Sequence, residues 1–203
     1  MAFDPSADLI LASSSTVRAR LLRDAGLSFE IAPARVDEES IKEAMLLEGA
    51  LPRDIADALA ELKSARISGR YPGAMVIGAD QILVCDGTLY NKPRDLDEAR
   101  QHLRAFSGKR HDLVTAATIA KGGAVIWRRV DIVKLTMRDL SADFITDYLE
   151  RAGEDVLQSV GGYRLEGLGV QLFQRIEGDY FTILGLPLLA ILDFLRLHKV
   201  IGT

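Results

Sequence analysis

At 203 residues and 48% hydrophobic side chains, the chain suits one globular domain or two closely joined lobes. A net charge of -4 argues against general nucleic-acid or membrane binding, which usually needs a basic face, yet leaves room for an anion gripped by a few placed cations. The single cysteine, Cys85, excludes an internal disulfide and a Cys-rich zinc site; it sits in an apolar run, reads as a buried small hydrophobe, and fits a reducing cytoplasm.

The first residues, MAFDPSADLILA, carry no positive n-region and only a short apolar run, so neither a signal peptide nor a transmembrane helix is expected, and a cytoplasmic location is the expectation. Residues 9–12 read as a short buried strand, followed by the polar loop Ser13-Ser14-Ser15. Over 16–25, Val17, Leu21, Leu22 and Ala25 recur at helical spacing, and Gly26 ends the helix. A second strand is expected at 29–32. Residues 52–68 are helical, with Pro52 in the first turn, Ile55, Leu59, Leu62 and Ala65 on one face, and Gly69 after the end. Residues 75–90 read as strand, bend, strand and turn.

An amphipathic helix covers 96–106. Strands at 110–121 and 124–137 flank Gly122-Gly123, a two-residue hairpin turn. A helix at 141–151 has Ser141 as N-cap. Residues 161–176 read as a glycine-punctuated strand, and a last helix runs from 187 to 198. Helices interleaved with strands predict an α/β class built around a central mixed sheet, with 1–203 as a single domain.

Polar residues interrupt this pattern at informative places. The run Val76-Ile77-Gly78-Ala79-Asp80-Gln81 drives an apolar segment into a carboxylate, and Ile82-Leu83-Val84-Cys85 follows at once. A buried charge costs on the order of several kcal/mol unless it is paired or bound to a metal. Asp80 is therefore either a satisfied structural acid or a working one. In Ala12 to Arg18, a strand end, a hydroxyl-rich loop and a helix start occur in sequence. Free amides there suit an anion, which Ser13, Ser15 and Arg18 would help hold; plain capping by Ser15 is the alternative. The cluster Asp37-Glu38-Glu39 fits either Mg²⁺, which prefers hard oxygens, or a solvated turn leading into a helix. Lys92 precedes Pro93, which restrains it to an extended path, and the Asp86-Gly87 turn returns it towards Asp80 as a salt-bridge partner or a phosphate cation. Glu166 lies between Leu165 and Gly167, another carboxylate in an apolar setting. Walker, Gly-x-Ser-x-Gly, dinucleotide and His-Glu-x-x-His motifs are absent.

In order, LILASSSTVRARLL, PARVDEE, LAELKSARI, VIGADQILVCDG, NKPRD, FSGKRHDLVT, GGYRLEGLGVQLFQRIEGDY and LGLPL resemble the Maf family of nucleoside triphosphate pyrophosphatases, across nearly the whole chain. The resemblance implies a two-lobed fold, akin to inosine triphosphate pyrophosphatases, with a cleft between lobes. It implies a homodimer as the common assembly. It also implies hydrolysis of a nucleoside triphosphate between the α and β phosphates, with Mg²⁺ or Mn²⁺. By motif position it implies site roles for Ser13, Arg18, Glu38, Lys63, Asp80, Gln81, Lys92 and Glu166. Asp80 and Glu38 would hold the metal and activate water, with Lys92 as a catalytic cation; Ser13, Ser15, Arg18 and Lys63 would bind phosphates.

The chain departs from the family pattern in three places. Ser15-Thr16-Val17-Arg18 replaces Ser-Pro-Arg-Arg, Asn91-Lys92-Pro93 replaces Gly-Lys-Pro, and Thr115-Ala116 replaces Thr-Gly. Gln81 and Glu166 stand where the dTTP/UTP group usually carries Thr and Gln, and so resemble the members acting on 7-methyl-GTP; a carboxylate at Glu166 can also accept from guanine N1 and N2. The segment IEGDYFTILGLPL has the length found in the dTTP/UTP group. An inosine/xanthosine triphosphate pyrophosphatase and a non-catalytic nucleotide sensor in cell-division arrest are the rival readings.

Overall fold

The apolar run around Asp80 forms one strand, β3 (Met75–Cys85), with no bend at the acid. Nine of its eleven residues are buried, as in a strand covered on both faces. In a computed structural model describing residues 8–202, β3 belongs to a seven-stranded mixed sheet flanked by helices. Most of the opening stretch considered for a signal peptide lies outside the described residues. Among those described, no helix is long and apolar enough to cross a membrane.

The chain divides into two compact units. The first takes residues 8–80, 115–131 and 180–202. Here β1 (Leu9–Leu11) pairs in parallel with β2 (Glu30–Ile31) on one side and with β3 on the other, placing Leu11 opposite Ile77. Helix α1 is Thr16–Asp24, α2 is Glu38–Leu47 and α3 is Pro52–Ser68. Alternation along β3 sends Met75, Ile77 and Ala79 into a core with Leu21, Leu22, Ile191 and Leu195. Val76 goes to the opposite core with Ile10, Ala12 and Ile67. By the same alternation, Gly78 and Asp80 share the Val76 face, which α3 covers.

The second unit takes residues 81–114 and 132–179. It contains β4 (Thr88–Tyr90), antiparallel to the end of β3, and α4 (Leu96–Phe106), capped by Asp95. Strands β5 (Arg110–Lys121) and β6 (Ala124–Met137) run through both units. Their turn, Gly122-Gly123, has φ of 59° and 83°, the left-handed pair that a two-residue hairpin demands. Helix α5 (Ala142–Ala152) starts on Ser141, whose side chain accepts from the Phe144 amide, as expected.

The strand expected over 161–176 is corrected: only β7 (Phe173–Glu177) is extended, antiparallel to β6. Gly161 and Gly162 hold φ of 83° and 74°, and Leu168–Leu172 is a 3₁₀ turn, so a ladder cannot propagate through the segment. Helices α6 (Tyr180–Ile183) and α7 (Leu188–Leu197) complete the first unit.

An aromatic cluster fills the second unit. His111 is buried, shares a 2.7 Å hydrogen bond with the Tyr163 hydroxyl, and packs on Phe106 and Phe173. Its Nδ1 is buried without a hydrogen-bond partner. Burial lowers its pKa to about 4. The unfolded chain binds this proton near pH 6.5 while the folded one does not, so stability is full above about pH 6.5 and falls as pH drops towards 4. The expected loss from this group is about 3 kcal/mol at most, at about 1.4 kcal/mol per pH unit. Urea unfolding of wild type and His111→Gln between pH 7 and 4 checks this: the variant is expected to show a flatter acid limb, and parallel curves would refute it.

Candidate active site

The site grows from the contact of α3 with β3. Helix α3 buries a stripe running through Ile55, Ala56, Leu59, Ala60, Lys63, Ser64 and Ile67. The face expected from sequence is rotated: Leu62 is 39% exposed, while Lys63 points inward. Gly78 permits this approach, since a Cβ there would lie 2.3 Å from the Ala60 carbonyl oxygen and 2.7 Å from the Ser64 amide nitrogen. A 2.8 Å hydrogen bond between the Ser64 and Thr118 hydroxyls fixes the helix against β5.

Lys63 Nζ thereby donates to Asp80 Oδ1 at 2.7 Å and pairs with Glu38 Oε1 at 2.9 Å. Asp80 is only 3% exposed. Glu38 arrives from the first turn of α2, where Asp37 caps the helix by accepting from the Ser40 amide. None of the ten residues of α2 is buried. The acidic cluster is thus divided: Asp37 serves as the cap, and Glu38 turns to the lysine. Partial burial pushes the Glu38 carboxyl up, but Lys63, Lys42 and Arg18 together outweigh it and hold it below its ordinary range.

Arg18, on α1, adds the second cation. Its Nε donates to the Gly185 carbonyl at 3.0 Å, and Nη1 donates to the Ala79 carbonyl at 2.8 Å and to Ser13 Oγ at 3.3 Å. Burial lowers the guanidinium pKa, while the charges of Asp80 and Glu38 oppose that shift. Ser13 is buried, and its hydroxyl also accepts from the Ser15 amide. The Ser15 hydroxyl oxygen caps α1, accepting from the Arg18 amide at 3.3 Å, and its O–H can still donate. Two cations and two carboxylates are thereby gathered in one unit, with no formal excess of either sign.

The donor set suits a hard divalent ion. Asp80 Oδ2 is buried and has no hydrogen-bond partner, a condition costing about 1–3 kcal/mol unless something fills it. No group of three or more His, Cys, Asp or Glu able to hold a metal occurs among the described residues, so the chain offers no complete cage there. Two carboxylates, completed by water and phosphate oxygens, are the pattern Mg²⁺ favours.

Gln81, Lys92 and Glu166 belong to the second unit. Gln81 is half-buried on β3, and Lys92 is exposed after β4. Glu166 Oε1 accepts from Arg164 Nε and Nη2, both at 3.2 Å, and Arg164 Nη1 donates to Asp155 at 2.8 Å. Sequence reasoning passed over Arg164, and it passed over the packing roles of Gly78, Ser64 and Gly185. The available cue for Gly78 was a glycine inside an otherwise apolar strand, which marks close backbone approach.

Comparison with known proteins follows the same span. The family model described as Maf-like protein matches residues 8–198. A nucleoside triphosphate pyrophosphatase of Granulibacter bethesdensis is 52% identical over 193 residues, covering 95% of this chain and 98% of that protein. Another of that name, from Paramagnetospirillum magneticum, is 52% identical over 187 residues, covering 92% and 96%. A 7-methyl-GTP pyrophosphatase of Brucella suis is 48% identical over 193 residues, covering 95% and 97%.

Proposed function

This chain belongs to the Maf-like protein family, and from that premise we propose that it is a nucleoside triphosphate pyrophosphatase acting on a modified guanine nucleotide of the 7-methyl-GTP type. The observation that carries the pyrophosphatase reading is the buried Asp80, with Oδ1 on Lys63 and Oδ2 unpartnered. In-line hydrolysis needs a positioned water and neutralised phosphate charge, with little covalent work from the protein. Asp80 Oδ2 orients the water and accepts its proton as the water oxygen bonds to the α phosphorus. The bond from that phosphorus to the bridging oxygen breaks, and pyrophosphate leaves with the electron pair. Lys63 and Arg18 balance charge on the phosphates, and Lys92 is the further cation supplied by the family motif. Asp80 and Glu38 are the residues that would hold Mg²⁺ or Mn²⁺. When bound, such an ion supplies phosphate charge neutralisation and a more acidic water.

Two things support the guanine reading. Glu166 carries a carboxylate kept in place by Arg164, which suits the N1–H and N2–H donors of guanine and has no matching donor pair on uracil. Some relatives at about this identity bear the name 7-methyl-GTP pyrophosphatase. A panel of 7-methyl-GTP, GTP, dTTP, UTP and inosine triphosphate, read as pyrophosphate release with Mg²⁺ and with Mn²⁺, tests both levels. The expected result is metal-dependent release with the highest kcat/KM for 7-methyl-GTP. Preference for dTTP or UTP would overturn the guanine assignment alone. Tight nucleotide binding without release would overturn the enzymatic reading.

A further inference from the structure

We infer that Gly185, in the turn between α6 and α7, is a positioning residue of this site that acts through Arg18; the inference rests on the pyrophosphatase reading. Gly185 holds φ of 99°, and its carbonyl accepts from Arg18 Nε at 3.0 Å. An added Cβ would lie 3.1 Å from Nε, 3.5 Å from Nη2 and 3.7 Å from Cζ, so the guanidinium occupies the space a side chain would take. The turn cannot easily recede. The Thr182 carbonyl accepts from the Gly185 amide and from Thr115 Oγ1, both at 3.0 Å, which ties the turn to β5.

Once Nε is fixed on Gly185, the rigid fork of the guanidinium fixes Nη1 as well. Nη1 holds the carbonyl of Ala79, whose peptide group leads directly into Asp80. All three acceptors of Arg18 are uncharged, so none of these bonds neutralises it. Its charge faces Asp80 and Glu38 through space instead. Gly185 thus sets both the direction of the peptide before the acid and the place of the second positive charge. The segment LGLPL, which matched the family without a chemical role, acquires one.

The experiment uses the full chain with Gly185→Ala, Arg18→Ala and the double variant, reading kcat, KM and thermal unfolding with the best nucleotide of the panel. A misplacement of this kind costs about 100-fold in kcat. Gly185→Ala is expected to show that loss in the wild-type background and none in the Arg18→Ala background, where its methyl group displaces nothing. The backbone strain at positive φ is expected to lower the melting temperature equally in both backgrounds. Undiminished kcat in folded Gly185→Ala, or equal activity losses in both backgrounds, would overturn the role while leaving the pyrophosphatase reading intact. A wild-type chain that releases no pyrophosphate from any nucleotide would overturn both. Should Gly185→Ala fail to fold, Arg18→Lys carries the test, since it keeps the charge and loses the fork. A fall in kcat at unchanged KM supports the inference, and unchanged kcat overturns it.

Discussion

Asp80→Asn is expected to lower kcat for pyrophosphate release by about a thousandfold, within the range for removing a positioned base, while the fold survives. The substitution preserves volume on a strand buried along its length. It removes the charge at Oδ1 and the acceptor chemistry at the unpartnered Oδ2 together. Lys63 keeps Glu38 at 2.9 Å, so the loss of stability stays below the about 3–5 kcal/mol of a buried pair left with one partner. Glu38→Gln is expected to do less, because its side chain is 42% exposed and its helix has no buried residue to hold it still. Circular dichroism establishes folding, and steady-state pyrophosphate release gives the rates. Near-wild-type kcat in Asp80→Asn would sink the proposed role, and a larger loss in Glu38→Gln would reverse the ranking of the two acids.

Where local chemistry sufficed, the sequence was a good guide. Pro52 at the first turn and Gly69 past the end delimit α3 as expected, and Gly122-Gly123 makes the hairpin. What was not legible depends on atoms far along the chain. Arg18 meets the carbonyls of Ala79 and Gly185, 61 and 167 residues away, so no spacing rule can find those bonds. Helical spacing put Leu62 and Ala65, not Lys63, on the buried face of α3; the burial of Lys63 follows from what stands across from it, a glycine and a carboxylate on one face of β3. The segment 161–176 misled for the converse reason. Its apolar residues read as strand, but consecutive glycines at positive φ turn it back on itself, and Gly161 has Leu83 and Tyr163 where a side chain would stand. The hydroxyl of Ser15 could serve a phosphate or a helix end; its oxygen accepts from the backbone amide of Arg18, and its O–H keeps the capacity to donate to a phosphate.

Gly78→Ala is expected to destabilise the chain by about 3 kcal/mol, the upper end for overpacking, and to remove most activity with it. The clash is with main chain and cannot be relieved by a rotamer. The new Cβ would meet the Ala60 carbonyl oxygen at 2.3 Å, the Ser64 amide nitrogen at 2.7 Å and Ser64 Cβ at 2.9 Å. Either α3 withdraws or β3 buckles. Withdrawal stretches the 2.7 Å bond from Lys63 to Asp80 and the 2.8 Å bond from Ser64 to Thr118, because both originate on the same turn of α3. Buckling moves the backbone two residues before Asp80. The site is therefore damaged whichever way the strain relaxes, and the melting temperature is expected to fall by about 6–12 °C for a chain of this size. Gly73→Ala is the matched control, since an added Cβ there meets nothing within 4 Å. Equal melting temperatures for Gly78→Ala and Gly73→Ala would show that α3 is not pressed on β3 at this glycine, and the burial of Lys63 would then need another cause.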